Sequence, residues 1–184
     1  KDKAAKCLSN LPIEKCLEIL DIVEPAAGAQ MMCSNGMMEH YAVKLMENLN
    51  QARAAAVFTH LDEETSAGFL TQLGSQYAAD IIPHLPHPLV VRLTQHITVT
   101  RLVEIFSNSN KRVVADVGLG MLKINAARVF SKLKPSHAAD SLEAMNNPLQ
   151  VAGMLSRMDR SLAAGILLQM NQNLASQILA KMPP

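Results

Sequence analysis

The sequence predicts an all-α solenoid, a superhelix of short helices about 8–10 residues long. A twelve-residue phrase recurs along most of the chain, as in Ala54-Ala55-Ala56-Val57-Phe58-Thr59-His60-Leu61-Asp62 and Ala126-Ala127-Arg128-Val129-Phe130-Ser131-Lys132-Leu133. Its apolar positions have helical spacing. A single helix cannot keep that spacing: twelve residues at 100° each overshoot whole turns by about 120°. The helix must stop and restart in every unit.

Counting the first residue of the phrase as slot one, fifteen units start at Ala4, Cys16, Gly28, Ala42, Ala54, Ser66, Ala78, Val90, Leu102, Val114, Ala126, Ala138, Val151, Ala163 and Ala175. Two residues are inserted near His40-Tyr41 and one near Asn147-Pro148. A period this regular fixes the architecture before any local reading. Slots one, two, four, five and eight are apolar almost throughout, and one, four, five and eight form one helical stripe. Slot one is Ala, Gly, Ser or Cys in eleven of the fifteen units, which allows close backbone approach. Slot two is apolar in every unit except the last, Ser176. That widens the apolar arc enough to touch both the preceding and the following helix.

Restart signals fall in slots nine and ten. Slot nine carries Asn50, Asp62, Thr98, Asn110, Asn146, Asp159 and Asn171, side chains that accept from free N–H groups at a helix start. Pro25 and Pro135 stand in slot ten, where a missing N–H costs nothing. Each helix is expected to run from slot ten to slot seven or eight of the next unit.

The whole chain, 1–184, reads as one helical domain with three irregular places. The unit after Gly28 holds Asn35 and Gly36, so a looser turn is expected near 33–41, with Gly36 free to adopt a left-handed conformation. Pro83 should end or kink its helix, and Pro86 and Pro88 favour an extended link. Gly118 and Gly120, with apolar Leu119 and Leu122 in slots six and nine, suggest a seam between lobes near 108–122.

Apolar residues make up 49% of the chain, enough for a continuous core, and eleven Met serve as adaptable filler. Aromatic residues are 3%, and the net charge is +1. This balance argues against nucleic acid as a partner and against a membrane-surface helix. No apolar run is long enough to span a bilayer. Cys7, Cys16 and Cys33 lie in or beside core slots without metal-like spacing and read as reduced intracellular thiols. The chain starts at Lys1 and stops in mid-pattern at Met182-Pro183-Pro184, which reads as part of a longer protein.

Slot seven carries no acid in any unit. His60, Gln72, His84, His96, Asn108, Lys132, Arg157, Gln169 and Lys181 all occupy it. Two readings stand. One is a ridge that receives an acidic or amide-rich protein partner. The other is ordinary helix electrostatics, since donors and cations suit the negative end of the helix dipole. Asp62, Glu63 and Glu64 invite comparison with a hard-cation site, but a capped, acidic first turn explains the same residues. The histidines have no spacing that forces convergence on a metal. No phosphate loop, zinc motif or nucleophile elbow is present, nothing orients Cys33 and His40 as a pair, and neither a catalytic residue nor a cofactor is assigned.

The phrases Ala54 to Glu64, Ala126 to Pro135, Val151 to Asp159 and Ala163 to Asn171 resemble the cytosolic N-terminal domain of MgtE-type magnesium transporters. More distantly they resemble the superhelical N-terminal parts of the flagellar motor switch protein FliG. The resemblance implies a superhelix of short helices. In the transporters that domain is followed by paired CBS modules and a membrane part, and its acidic surface helps to sense magnesium. The acids here are scattered apart from Asp62-Glu63-Glu64, so no magnesium ligands are carried over. Two functions follow: a non-enzymatic, intracellular scaffold for another protein, or the regulatory domain of a magnesium transporter.

Overall fold

A computed structural model describes residues 10–34 and 37–183. The expectations for Ala4, Cys7 and Gly36, and the centre of the turn near 33–41, lie outside the described residues. Among the described residues there are fourteen α-helices and no strand. They are α1 Ile13–Ile22, α2 Pro25–Met32, α3 Glu39–Asn48, α4 Gln51–Phe58, α5 Glu63–Gln72, α6 Ser75–Ile81, α7 His87–Leu93, α8 Val99–Asn108, α9 Lys111–Gly120, α10 Lys123–Phe130, α11 Pro135–Ala144, α12 Pro148–Leu155, α13 Arg160–Leu167 and α14 Gln172–Leu179. All fourteen start in slot ten, so the repeat sets every helix boundary on the N-terminal side.

The C-terminal ends vary more than expected. Ten-residue helices such as α5 reach slot seven, whereas eight-residue helices such as α4 stop at slot five, and a turn follows. Seven helix starts are capped by a side chain: Asn50, Asp62, Thr98, Asn110, Asn147, Asp159 and Asn171. The fifth expected cap was Asn146. Asn147 takes that role instead, and Asn146 absorbs the one-residue insertion by adopting φ 47°. Asparagine is among the few residues that enter this left-handed region readily. Pro83 lies in a 3-10 turn, Ile82–His84, that extends α6. Pro86 is extended as expected, but Pro88 belongs to the first turn of α7, where it forfeits no hydrogen bond.

By backbone contacts the chain divides into residues 1–97 and 98–184. Within the first unit the closest helix pairs are α1 with α3, α2 with α4, α4 with α6 and α5 with α7. Within the second they are α8 with α10, α9 with α11, α10 with α12, α11 with α13 and α12 with α14. The closest partner is thus the next but one, not the adjacent helix that the wide apolar arc suggested. Successive packing of this kind is that of a solenoid.

Slot five, from Leu20 through Met46, Phe58, Leu70, Phe106, Phe130 and Leu142 to Leu155, is buried. Slot one is buried from Cys16 to Ala163. Phe58 and Phe69 meet edge to face, with ring centroids 6.2 Å apart. Residues 108–122 fall inside the second unit. Gly118, in slot five of α9, is covered there by Phe130 and Met145. A Cβ on it would lie 2.6 Å from Met145 Cε and 2.9 Å from Phe130 Cε2. The missing side chain makes room for a ring from the next helix.

Two substitutions separate these packing terms. Gly118→Ala is expected to lower stability by about 1–3 kcal/mol through overpacking, less the helix-propensity gain of alanine. The double variant with Phe130→Leu should recover part of that loss in urea unfolding. Ser66, in slot one of α5, is fully buried and its Oγ has no hydrogen-bond partner. Ser66→Ala should therefore raise stability by about 1 kcal/mol, read as a higher urea midpoint.

Candidate interaction surface

Every slot-seven residue of the expected ridge is exposed. Several are engaged locally. Asn108 Nδ2 donates to the Glu104 carbonyl at 2.8 Å, and Arg157 Nη1 donates to the Gly153 carbonyl at 2.5 Å. Gln72 donates to Glu39, and His96 Nε2 lies 3.6 Å from Glu63 Oε2. Asn108 and Arg157 thus serve helix ends, where carbonyls lack intrahelical donors. His60, His84, Lys132, Gln169 and Lys181 present their side chains at the surface.

The three adjacent acids are separately occupied. Asp62 caps α5: its carboxylate accepts from Thr65 N and Thr65 Oγ1, both at 2.8 Å. Those two hydrogen bonds hold its pKa below the usual carboxylate value. Glu63 accepts from Arg92 Nε at 2.5 Å. Glu64 is exposed. Among the described residues, no three His, Cys, Asp or Glu side chains gather as a metal site would require.

Cys33 is not a core thiol. It is exposed and is one of the residues lining a cavity of about 280 Å³ in the first unit. Met32, Met37 and Phe69 line the apolar side of this cavity, and Ser34, Glu39 and Gln72 the polar side. Partial desolvation, then the charge on Asp62, push the Cys33 thiol up, away from the reactive thiolate. The cavity falls below the roughly 300–1,000 Å³ of typical small-molecule sites. Cys16, by contrast, is fully buried, with its Sγ 3.4 Å from the Tyr41 hydroxyl.

A set of polar clips escaped the sequence reading. The residue just before slot one reaches back three helices to carbonyls at a helix end. Arg53 on α4 donates to the carbonyls of Leu20, at 2.8 Å from Nε, and Val23 behind α1. The Tyr77 hydroxyl on α6 meets the carbonyls of Met46 (2.5 Å) and Leu49 (2.7 Å) behind α3. His137 Nε2 on α11 donates to the Phe106 carbonyl of α8 at 2.9 Å, which fixes the tautomer with the proton on Nε2. Tyr41 donates likewise to Leu11 O at 3.0 Å. Slot six adds the converse contact: Glu47 accepts from Gly74 N at 2.7 Å, and Glu143 accepts from Asn171 N. The available signal was a bulky donor beside the small residue of slot one.

These placements agree with one comparison. Residues 34–117 match the family model of the MgtE intracellular N domain. The match runs from before α3 into α9 and contains the Ala54 to Glu64 phrase. Beyond it, α10–α14 keep the same slot order. No curated protein and no solved structure gives a significant match to the chain. None of the helices described is long and apolar enough to cross a membrane.

The clips give a pH signature. The Cys16 contact and then burial raise Tyr41 to about 12; burial and then Glu47 raise Tyr77 to about 12. A raised folded-state pKa means that the neutral hydroxyl is favoured on folding. That stabilisation is complete below the unfolded value of 10.0 and fades as pH climbs toward about 12. Thermal melts between those limits should fall less steeply for the Tyr41→Phe, Tyr77→Phe double variant than for the parent chain. At neutral pH the double variant should melt lower.

Proposed function

We propose that this chain is a non-enzymatic, intracellular scaffold that holds another protein along its exposed helix ends. One observation carries the reading. The apolar slots are spent on covering one another, while the donors and cations of slot seven stand at the surface in unit after unit. Repeat stacks commonly use such extended surfaces for partners. The family match supports a domain of the MgtE N type, whose place in transporters is regulatory or supporting rather than catalytic. A partner rich in carboxylates or amides suits His60, His84, Lys132, Gln169 and Lys181.

A second reading, the magnesium-sensing regulatory domain of a transporter, draws on the same match and on charge. Residues 1–97 hold eleven Asp and Glu against seven Lys and Arg. Thermal melting separates the two. The scaffold reading expects a shift below about 1 °C at millimolar magnesium, because a ligand that does not bind the folded state cannot stabilise it. A rise of several degrees with magnesium and none with sodium would replace it by the regulatory reading. In a pull-down, Lys132→Glu with Lys181→Glu should weaken retention of a specific partner by roughly tenfold or more if the ridge is its seat.

A further inference from the structure

We infer that the α10–α12 face of the second unit is a docking site for an acidic amphipathic helix of a partner protein. This rests on the scaffold reading and gives it a place and a chemistry. The near-neutral total conceals a division: residues 98–184 carry ten Lys and Arg against five Asp and Glu. No acid stands between Asp116 and Asp140, while Lys123, Arg128, Lys132 and Lys134 do, and all four are exposed.

On this basic background three large aliphatic side chains face solvent: Leu122 at 64%, Ile124 at 46% and Leu149 at 64% exposure. Leu122 holds a position that half of the described helices use for a capping side chain. It stands at the N-cap of α10, where Asn, Asp or Thr caps seven other helices, and it caps nothing. Helix α10 therefore forgoes a bond commonly worth about 1 kcal/mol and exposes a leucine instead. Ile124 and Leu149 both occupy slot eleven, on two helices that pack together, whose axes usually lie about 8–10 Å apart.

Gly153 ties the cations to this patch. It lies one turn beyond Leu149 on α12, and its missing Cβ makes room for the Lys123 stem: that atom would lie 3.2 Å from Lys123 Cδ and 3.3 Å from Nζ. Arg157 Nη1 sits on the Gly153 carbonyl. Two cations from different helices thus meet over one glycine, and no carboxylate pairs with either among the described residues. Carboxylates of a helix laid across Ile124 and Leu149 would reach both. The aliphatic row offers its apolar stripe a seat. An anionic membrane presents the same charge, but interfacial binding favours Trp and Phe beside the cations, and this patch has neither.

The test uses the whole chain and a fluorescein-labelled synthetic helix with leucines at i, i+3, i+4 and i+7 and glutamates along both flanks. Polarisation should show saturable binding that weakens with salt. Lys123→Glu with Arg157→Glu should weaken it by roughly tenfold or more. Leu122→Ser with Leu149→Ser should weaken it by about fivefold at unchanged salt dependence. Circular dichroism and melting verify that these surface variants fold. The first-unit control, Lys15→Ala with Lys44→Ala at two exposed positions, should bind as the parent does. Absence of binding, or binding indifferent to both patch variants, overturns the assignment. So does sedimentation with phosphatidylserine vesicles when the peptide is not bound. If the peptide fails while a partner is still lost on the slot-seven variants, this site falls and the scaffold reading stands.

Discussion

The 120° left over when twelve residues wind into an α-helix governs the molecule. It prevents any helix from carrying the stripe into the next unit, and it leaves two apolar edges on each short helix. The burial pattern separates those edges. Slot four is fully buried at the last helix, as Ile178, whereas slot five there is Leu179, 56% exposed. One helix earlier Ile166 is buried and Leu167 only half so. Slot two behaves like slot five: Ala152 is buried, but Ala164 and Ser176 are exposed. Slots two and five are thus the edge covered by helices further along the chain, and slot four is the edge covered by those before. Helices of eight residues are marginal alone. The stability of each is therefore largely that of its neighbours.

Apolar edges alone would leave the helix ends unsatisfied. An α-helix that stops every twelve residues exposes free carbonyls at each stop, and burying them without donors is costly. Here the repeat supplies the donors. Asn48 and Asn108 turn back to carbonyls four residues earlier, while Arg53, Tyr77 and His137 answer carbonyls of the third helix before their own. The clips reach across about thirty residues of sequence, so they lock the phase of the stack as well as its polar accounting. Tyr77 shows the two roles joined in one side chain: its ring is half-buried and its hydroxyl closes the end of α3.

How much of this was legible depended on which side chains repeat. Fold class, helix starts and most caps could be read because Asn50, Asp62, Asn110, Asp159 and Asn171 recur in one slot for one local reason. The order of packing could not. Whether a helix meets its neighbour or the next but one depends on the angle at each turn, which no residue type states. Cys33 was misread because it stands in slot six, directly after the buried Met32 of slot five, and lying beside a core slot was taken for burial. Asn146 and Asn147 show the limit on a smaller scale. Both are good caps, and only the backbone at φ 47° reveals which one is spare.

For the candidate surface the lesson runs the other way. Residues that obey the repeat are explained by folding and carry little information about a partner. The informative positions are those that carry a cost, as Leu122 does in an uncapped N-cap position and Gly153 does in forgoing a helix-favouring side chain beside Lys123. Arg157 belongs to both groups. Its slot is ordinary and its carbonyl bond is local, yet Gly153 places it beside a second unpaired cation. A composition averaged over the whole chain erases such places. An excess of four acids in residues 1–97 nearly cancels an excess of five cations in residues 98–184. Since electrostatic attraction is screened within about a nanometre at physiological salt, a partner meets the charge of the unit it touches and not the sum.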